Sequence, residues 1–484
     1  MIGNSQNIAP ERSAGLEVPV FAIPREGDLG CGDTQVVHEL IDLAKEVGLG
    51  SLNLLPIQET VKGNDPFSPL SLFALDPILL DVSPWTLDDL QSVAYDRLTK
   101  DVSSSHGSES NALSYNKVKK LKLDLLWQAF EHFWKTHFLE GSSRARDYHR
   151  FCKREAAWLP DYSMYRMLMD FEQGRESWED WSEDYGCYLD AKRFIATIGA
   201  KKPESVERQL AFYAYVQWVA DDQWRNVRAH AKRVGIRLIT DLHCAVSPHC
   251  SEFFRSPTSF RMEMKDGRQS AVCENDLLGH LEARLRRLSP FFDQFRISDF
   301  RKTIAHVEED DKLKAFINSL PGLHTDPASM TVKVAWESLP SLAMQSTQLW
   351  PAPNGHLIPP GGSAQMSFSS FGTNSLRRLW AHDKLFRRRL KNQWAVNPKA
   401  YDLKTTLSLL RKLFQYPARH VQISYLDLAG LENEPSATWL ARYDKGPRAI
   451  VEGPEWETFR DEFRKILQQT SRSPQSLELA VESK

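Results

Sequence analysis

The strongest constraint on this chain is a strand–helix–strand unit near its start that returns two hundred residues later. Val20–Ile23 is a short apolar run, expected to be a strand. From Thr34 to Val47, the apolar residues Val37, Leu40, Ile41, Ala44 and Val47 recur at three and four residues, and Gly48 follows as a stop. Leu52, Leu54, Leu55 and Ile57 then make a second strand, which ends at the turn-rich Gly63-Asn64-Asp65-Pro66. The pattern resumes over 205–248. A long helix from Leu210 ends at Gly235, and Ile236–Asp241 reads as a buried strand with its Asp at the C-terminal end. Further strands are expected at Gln294–Ile297, Thr331–Ala335, Met366–Ser369 and Arg419–Leu426, and a closing helix at Pro454–Gln468. Pro351–Gly362, with four Pro and three Gly, is a loop. Strands alternating with helices over 484 residues favour an α/β fold, a (β/α)8 TIM barrel with helical insertions.

This predicts a flexible N-terminus at 1–18 and a single barrel domain over 19–470. A mainly helical, Trp-rich insertion is expected at about 83–200, and a flexible tail at 471–484. With 61 basic and 63 acidic side chains the formal charge is −2, so nucleic acid is not an expected partner, since phosphates demand a basic excess or stripe. No stretch approaches the roughly 20 apolar residues that span a bilayer, and the N-terminus has no apolar signal core. Six Cys are scattered without a C-x-x-C pair. Free thiols in a reduced cytoplasm are the expectation. Neither a Gly-rich phosphate loop nor a convincing metal cluster is visible, so no cofactor and no metal are expected.

Five groups of motifs, in order, resemble the 4-α-glucanotransferases (amylomaltase or disproportionating enzyme, glycoside hydrolase family 77). Gly30-Cys31-Gly32-Asp33 with its helix and Leu54-Leu55-Pro56 is similar to the family's G-I-G-D and L-P-L. Asn64-Asp65-Pro66-Phe67, Ser71-Leu72-Phe73-Ala74 and Asp76-Pro77 resemble D-S-P-Y…S-x-F-A-x-N-P. Phe151-Cys152…Trp158-Leu159-Pro160-Asp161-Tyr162, with Trp178 and Trp181, resembles F-C…W-L-x-D-Y-A…W-x-x-W. Gln217-Trp218, Gln223-Trp224 and Gly235–Asp241 match a helix and a strand ending G-I-x-I-I-G-D. Tyr416-Pro417-Ala418 and Asp427–Leu431 resemble S-P-A…Q-D-L-L-G-L. The resemblance implies a barrel that binds α-1,4-glucan or malto-oligosaccharide at the C-terminal ends of its strands and transfers a glucan segment to a sugar acceptor.

Retaining transfer needs two carboxyl groups about 5–5.5 Å apart, a nucleophile and an acid/base. The family's nucleophile segment R-I-D-H-F reads Arg296-Ile297-Ser298-Asp299-Phe300 here, and its acid/base segment I-A-E-D reads Val334-Ala335-Trp336-Glu337. Ser298 and Trp336 hold the expected positions, and Asp299 and Glu337 follow one residue late. In a strand, one step turns a side chain to the other face. The segment T-H-D-N-D-T matches Phe371–Leu376, which keeps only Asn374. Three readings stand: a transferase that uses Asp299 and Glu337 through a shifted register, a silent relative that binds malto-oligosaccharide or a protein partner through the inherited cleft, or a different glycosidic chemistry that uses Ser298 and neighbouring groups.

The resemblance also implies substrate contacts at Asp65, Phe67, Asp241, His243, Arg296 and Asn374. Each has a plainer reading. Asp241 and Arg296 make a structural ion pair inside the barrel. His243, like His249, is a loop histidine lining a cleft, and neither stands at zinc spacing. Asp65 and Phe67 form a turn, and Asn374 is a turn amide. Trp158, Trp178 and Trp181 are core rather than sugar platforms. The runs 308–311 and 387–391 are solvated faces.

Overall fold

The computed structural model describes residues 12–61, 64–103, 115–243, 245–265, 268–273, 277–298, 366–368, 376–394, 401–415, 420–429, 443 and 445–472. Nine strands lie among them: β1 (Ser13–Val18), β2 (Ser51–Leu54), β3 (Arg237–His243), β4 (Ala245–Val246), β5 (Phe260–Lys265), β6 (Arg268–Cys273), β7 (Gln294–Ser298), β8 (Met366–Phe368) and β9 (His420–Ser424). Six of them form one sheet in the order β7-β3-β2-β1-β9-β8, every pair parallel. Parallel neighbours require crossovers, and α1 (Thr34–Val47) makes the first. Its limits are those that the periodicity predicts, with Gly48 as the C-cap at φ 83°.

The two faces of this sheet differ in chemistry. Ala14, Leu16, Val18, Leu52, Leu54, Leu238, Leu242, Val421 and Ile423 are buried in one apolar cluster with Val37, Leu40, Ile41 and Ala44 of α1. The alternate positions are mostly polar, and they are equally buried: Ser13, Glu17, Ser51, Asn53, Asp241, Gln422 and Ser424. A period-2 strand with helices on one side and polar groups on the other is a barrel wall whose lumen takes the polar side chains.

The N-terminal expectation is corrected here. Residues 13–18 are not a loose tail but a fully buried central strand. The strand is not at Val20–Ile23 either, because Val20–Ala22 is a 3-10 turn. Pro19 has no N–H to donate into a ladder, so β1 stops before it. Ser-Ala-Gly-Leu-Glu-Val hides its role because every second residue is small or polar for the lumen. At the other end, Arg472 is buried, donating from Nε to Phe414 O (2.9 Å) and from Nη1 to Ser13 O (2.9 Å). The packed chain thus passes the expected boundary at 470. The expected strand Thr331–Ala335 lies outside the described residues.

Between β2 and β3 come α2 (Ser92–Ser103), α3 (Tyr115–Phe133), α4 (Ser143–Arg154), α5 (Leu159–Phe171), α6 (Tyr188–Lys201) and α7 (Pro203–Val234). Their aromatic rings meet one another. Phe133 of α3 lies 5.1 Å from Tyr215 and 5.5 Å from Trp218 of α7. Trp158 and Trp181 are buried, and Trp178 is half-buried with its Nε1 donating to Pro248 O (3.0 Å). Strand β4, before α8 (Ser251–Arg255), and strands β6 and β5, after it, form a small antiparallel sheet that the sequence reading did not anticipate. α9 (Leu277–Leu288) then leads into β7. No helix among the described residues is long and apolar enough to cross a membrane.

Candidate functional site

Strand alternation brings a polar lumen together from segments four hundred residues apart. Gly15 of β1 pairs with Ser51 of β2 and Gln422 of β9, and Glu17 pairs with Asn53 and Ser424. Gly15 has no side chain between its neighbours. Asn53 Nδ2 therefore donates across β1 to Gln422 Oε1 at 3.5 Å. A Cβ on Gly15 would lie 2.4 Å from Ser51 Oγ. Asn53 Oδ1 is buried without a hydrogen-bond partner among the described residues, an acceptor ready for a hydroxyl or water.

Nearer the strand ends, Asp241 of β3 is the register partner of position 296 on β7, and position 243 is the partner of position 298. The sequence reading that joined Asp241 with Arg296 thus names two adjacent positions, and Asp241 is buried. For Arg296, His243 and Ser298 the structure describes the backbone placement. Asp299, Glu337 and Asn374 lie outside the described residues.

Two carboxylates at this end were not among the expected site residues, although Asp427 opens one of the family-like motifs. Glu17, beside β1's last residue, and Asp427, in the helix Tyr425–Ala429 that follows β9, are both buried. Burial and the charges of Asp427 and Glu17 push the Tyr443 phenol well above its ordinary value. The Tyr443 ring stacks on Tyr425, centroids 6.0 Å apart. Glu17 carries a readable signal: it is the one charged residue in a strand that is otherwise small or apolar.

The loop after β2 is held by a buried ionic network. Glu59 pairs with Arg166 and with Lys119 Nζ (2.9 Å) and accepts from Tyr162 OH at 2.5 Å. Burial works to raise the Glu59 carboxyl, but the two cations and the phenol outweigh it and hold it down to about 2. Asp76 accepts from Thr60 N (3.1 Å) and Ile78 N (3.0 Å) in the same cluster. Gln217 grips Leu75 through both its N–H and its carbonyl, at 2.7 and 2.9 Å, and Gln223 grips Asp81 in the same way, at 3.0 and 2.7 Å. The Gln-Trp motifs on α7 therefore clamp main chain.

This clamped loop carries Asp65 and Phe67 at its tip. Asp65 Oδ1 accepts from Phe67 N (3.0 Å), and Asp65 O accepts from Ser68 N (2.9 Å). Its carboxylate shapes the turn. Phe67 is half-buried against the main apolar cluster. His249, the other histidine noted in the sequence, has its carbonyl fixed by Tyr165 OH (2.7 Å). Among the described residues, no group of three His, Cys, Asp or Glu side chains converges as a metal ligand set.

A family model described as 4-alpha-glucanotransferase matches residues 18–270. The 4-alpha-glucanotransferase of Aquifex aeolicus is 28% identical over 257 residues, 52% of this chain and 47% of the relative. That of Thermus thermophilus is 26% identical over 263 residues, 54% of this chain and 48% of the relative. The chain thus spans about half the length of the curated relatives it matches. Among solved structures, amylomaltase from Streptococcus agalactiae in complex with acarbose superposes with a TM-score of 0.73 at 16% identity, covering 96% of this chain and 100% of that one. Amylomaltase from Corynebacterium glutamicum gives 0.64 at 15% identity, covering 96% and 75%. The shared feature is the fold, an α/β TIM barrel with helices around a parallel sheet.

Proposed function

Because the chain belongs to the 4-alpha-glucanotransferase family, we propose that its barrel mouth binds α-1,4-glucan chains and that it has lost retaining transfer by the family's usual route. The observation that carries this reading is the register of β7. Ser298 is the last residue of that strand and pairs with His243, and position 296 pairs with Asp241. Alternation therefore gives position 298 the parity of the lumen layers, and the resemblance assigns that position to the nucleophile. A serine hydroxyl becomes a nucleophile only with a base beside it, and the register sets a histidine position, 243, beside position 298 rather than the carboxylate nucleophile that retaining transfer uses.

The polar lumen favours glucan binding. A chain of sugar hydroxyls needs donors and acceptors fixed before it arrives, and Asn53, Gln422, Glu17 and Asp241 offer them on rigid strands. Asp65 and Phe67 on their clamped loop, together with His243, Arg296 and Asn374, complete the proposed contacts.

The test is incubation with maltotriose beside calorimetric titration with maltoheptaose. The expected result is binding, weakened at least tenfold by Asp241→Ala, without glucose or longer oligomers. Glucose and longer oligomers from the unaltered chain, abolished by Asp299→Asn, would establish the shifted-register transferase instead. Neither binding nor turnover would remove the glucan reading altogether.

A further inference from the structure

The turn that precedes α2 carries the most exposed aromatic ring among the described residues: Trp85 is 71% exposed. Water is an unfavourable place for so large an apolar side chain, because burial would remove its surface from solvent. The turn that holds it there is firm. Thr86 N and Leu87 N both donate to Ser83 O (3.1 and 2.9 Å), Thr86 Oγ1 donates to Asp81 Oδ2 (2.7 Å), and Leu87 is buried. Asp81 pairs in turn with Arg25 Nη2 (3.3 Å), which also holds Asp33 (2.9 Å). Arg25 and Asp33 lie in the segment between β1 and α1, which leaves the C-terminal end of β1. Trp85 is therefore tied to the same end of the barrel as the proposed cleft.

The ring has a companion. Tyr95 of α2 meets it with centroids 6.0 Å apart and planes at 65°, so the two rings form a corner and not a flat plate. Their polar tips are unused: neither Trp85 Nε1 nor Tyr95 OH has a hydrogen-bond partner among the described residues. Burial and then the charge of Asp81 raise the Tyr95 phenol above its ordinary value, so it keeps a proton to donate. Asp96, next in sequence and exposed, adds an acceptor.

Aromatic faces edged by free donors and an acceptor suit a neutral ligand whose own faces are apolar and whose edges carry hydroxyls, which is the make-up of a pyranose ring. An anion is not favoured, because Arg25, whose charge reaches Tyr95, is committed to Asp33 and Asp81. Linkage follows from the corner. An α-1,4 chain turns at every bond, so successive sugar faces are not coplanar, whereas a straight β-1,4 chain calls for coplanar rings.

We propose that Trp85 and Tyr95 form an auxiliary platform that holds α-1,4-glucan chains outside the cleft. Its choice of sugar rests on the glucan reading of the barrel mouth. The test is migration of the full chain through native gels cast with amylopectin, beside calorimetric titration with maltoheptaose. Trp85→Ala should raise the apparent dissociation constant for amylopectin at least fivefold and leave that for maltoheptaose within twofold. The ring is exposed, so the melting temperature should not move. Trp85→Phe, which keeps a ring, should restore most of the retardation. Asp241→Ala should lose maltoheptaose and keep the retardation that depends on Trp85. The platform is overturned, and the cleft left standing, if Trp85→Ala migrates like the unaltered chain, if Asp241→Ala is no longer retarded, or if hydroxyethyl cellulose retards the chain equally. Retardation through Trp85 without any titration by maltoheptaose would remove the cleft instead. No response to either sugar would overturn both.

Discussion

Glu59 has no solvent exposure and faces Arg166, Lys119 and Tyr162. Removing its charge strands two cations in a desolvated site. Glu59→Gln should lower the unfolding free energy by about 3–5 kcal/mol, measured by denaturant titration. The pH dependence has a definite sign. The folded carboxyl is held at about 2, below its unfolded value, so its contribution is complete above that unfolded value and is lost as pH falls toward 2. A shift of this size corresponds to a stability loss on the order of 3 kcal/mol between about pH 5 and pH 2. Glu59→Gln should flatten that portion of the stability curve, and an unchanged acid limb would refute the assignment. Gly15 is constrained by space instead. Gly15→Ala places a Cβ 2.4 Å from Ser51 Oγ and should cost about 1–3 kcal/mol. Because the obstacle is a side-chain atom, adding Ser51→Ala should recover most of the loss, a coupling that a thermal-melt double-mutant cycle reads directly.

At the scale of elements, α1 shows why one motif is built as it is. Gly32 sits against the 3-10 turn, and a Cβ there would lie 2.0 Å from Val20 O and 2.5 Å from Ile23 O, both backbone atoms. Asp33 then caps the helix, accepting from Gln35 N (3.1 Å) and Val36 N (3.4 Å), and receives the Arg25 guanidinium through both oxygens (3.0 and 2.9 Å). Asp33→Ala should cost about 1–2 kcal/mol in urea denaturation. Asp33→Asn, which keeps the cap acceptor, should cost less. Helix α1 was readable because caps, stops and period 3.6 act within a few residues. Strand β1 was misplaced because a lumen-facing strand of Ser, Gly and Glu lacks an apolar run, and the apolar run beside it follows a proline. The small antiparallel sheet was missed because Phe260–Lys265, with Arg, Glu and Lys among its residues, reads as a solvated segment.

For the molecule as a whole, ligand binding should register as stability. Maltoheptaose at a hundred times its dissociation constant should raise the unfolding free energy by about 2.7 kcal/mol. Hydrogen exchange should slow in β3 and β9, whose ends form the proposed cleft, and not in α9 on the flank. Exchange that slows equally everywhere would remove the cleft assignment.

The sequence by itself determined the family, the alternation of strands with helices and the span of α1, because each rests on periodicity, caps or ordered motifs. Only the tertiary structure decided which polar groups share a space. Asn53 meets Gln422 because a glycine on the intervening strand leaves room. Glu17 and Asp427 both act on one tyrosine, and three arginines, from α4, α7 and α9, meet on Asp221. Such meetings depend on parallel register and helix docking between segments far apart in the chain, and no local pattern encodes them.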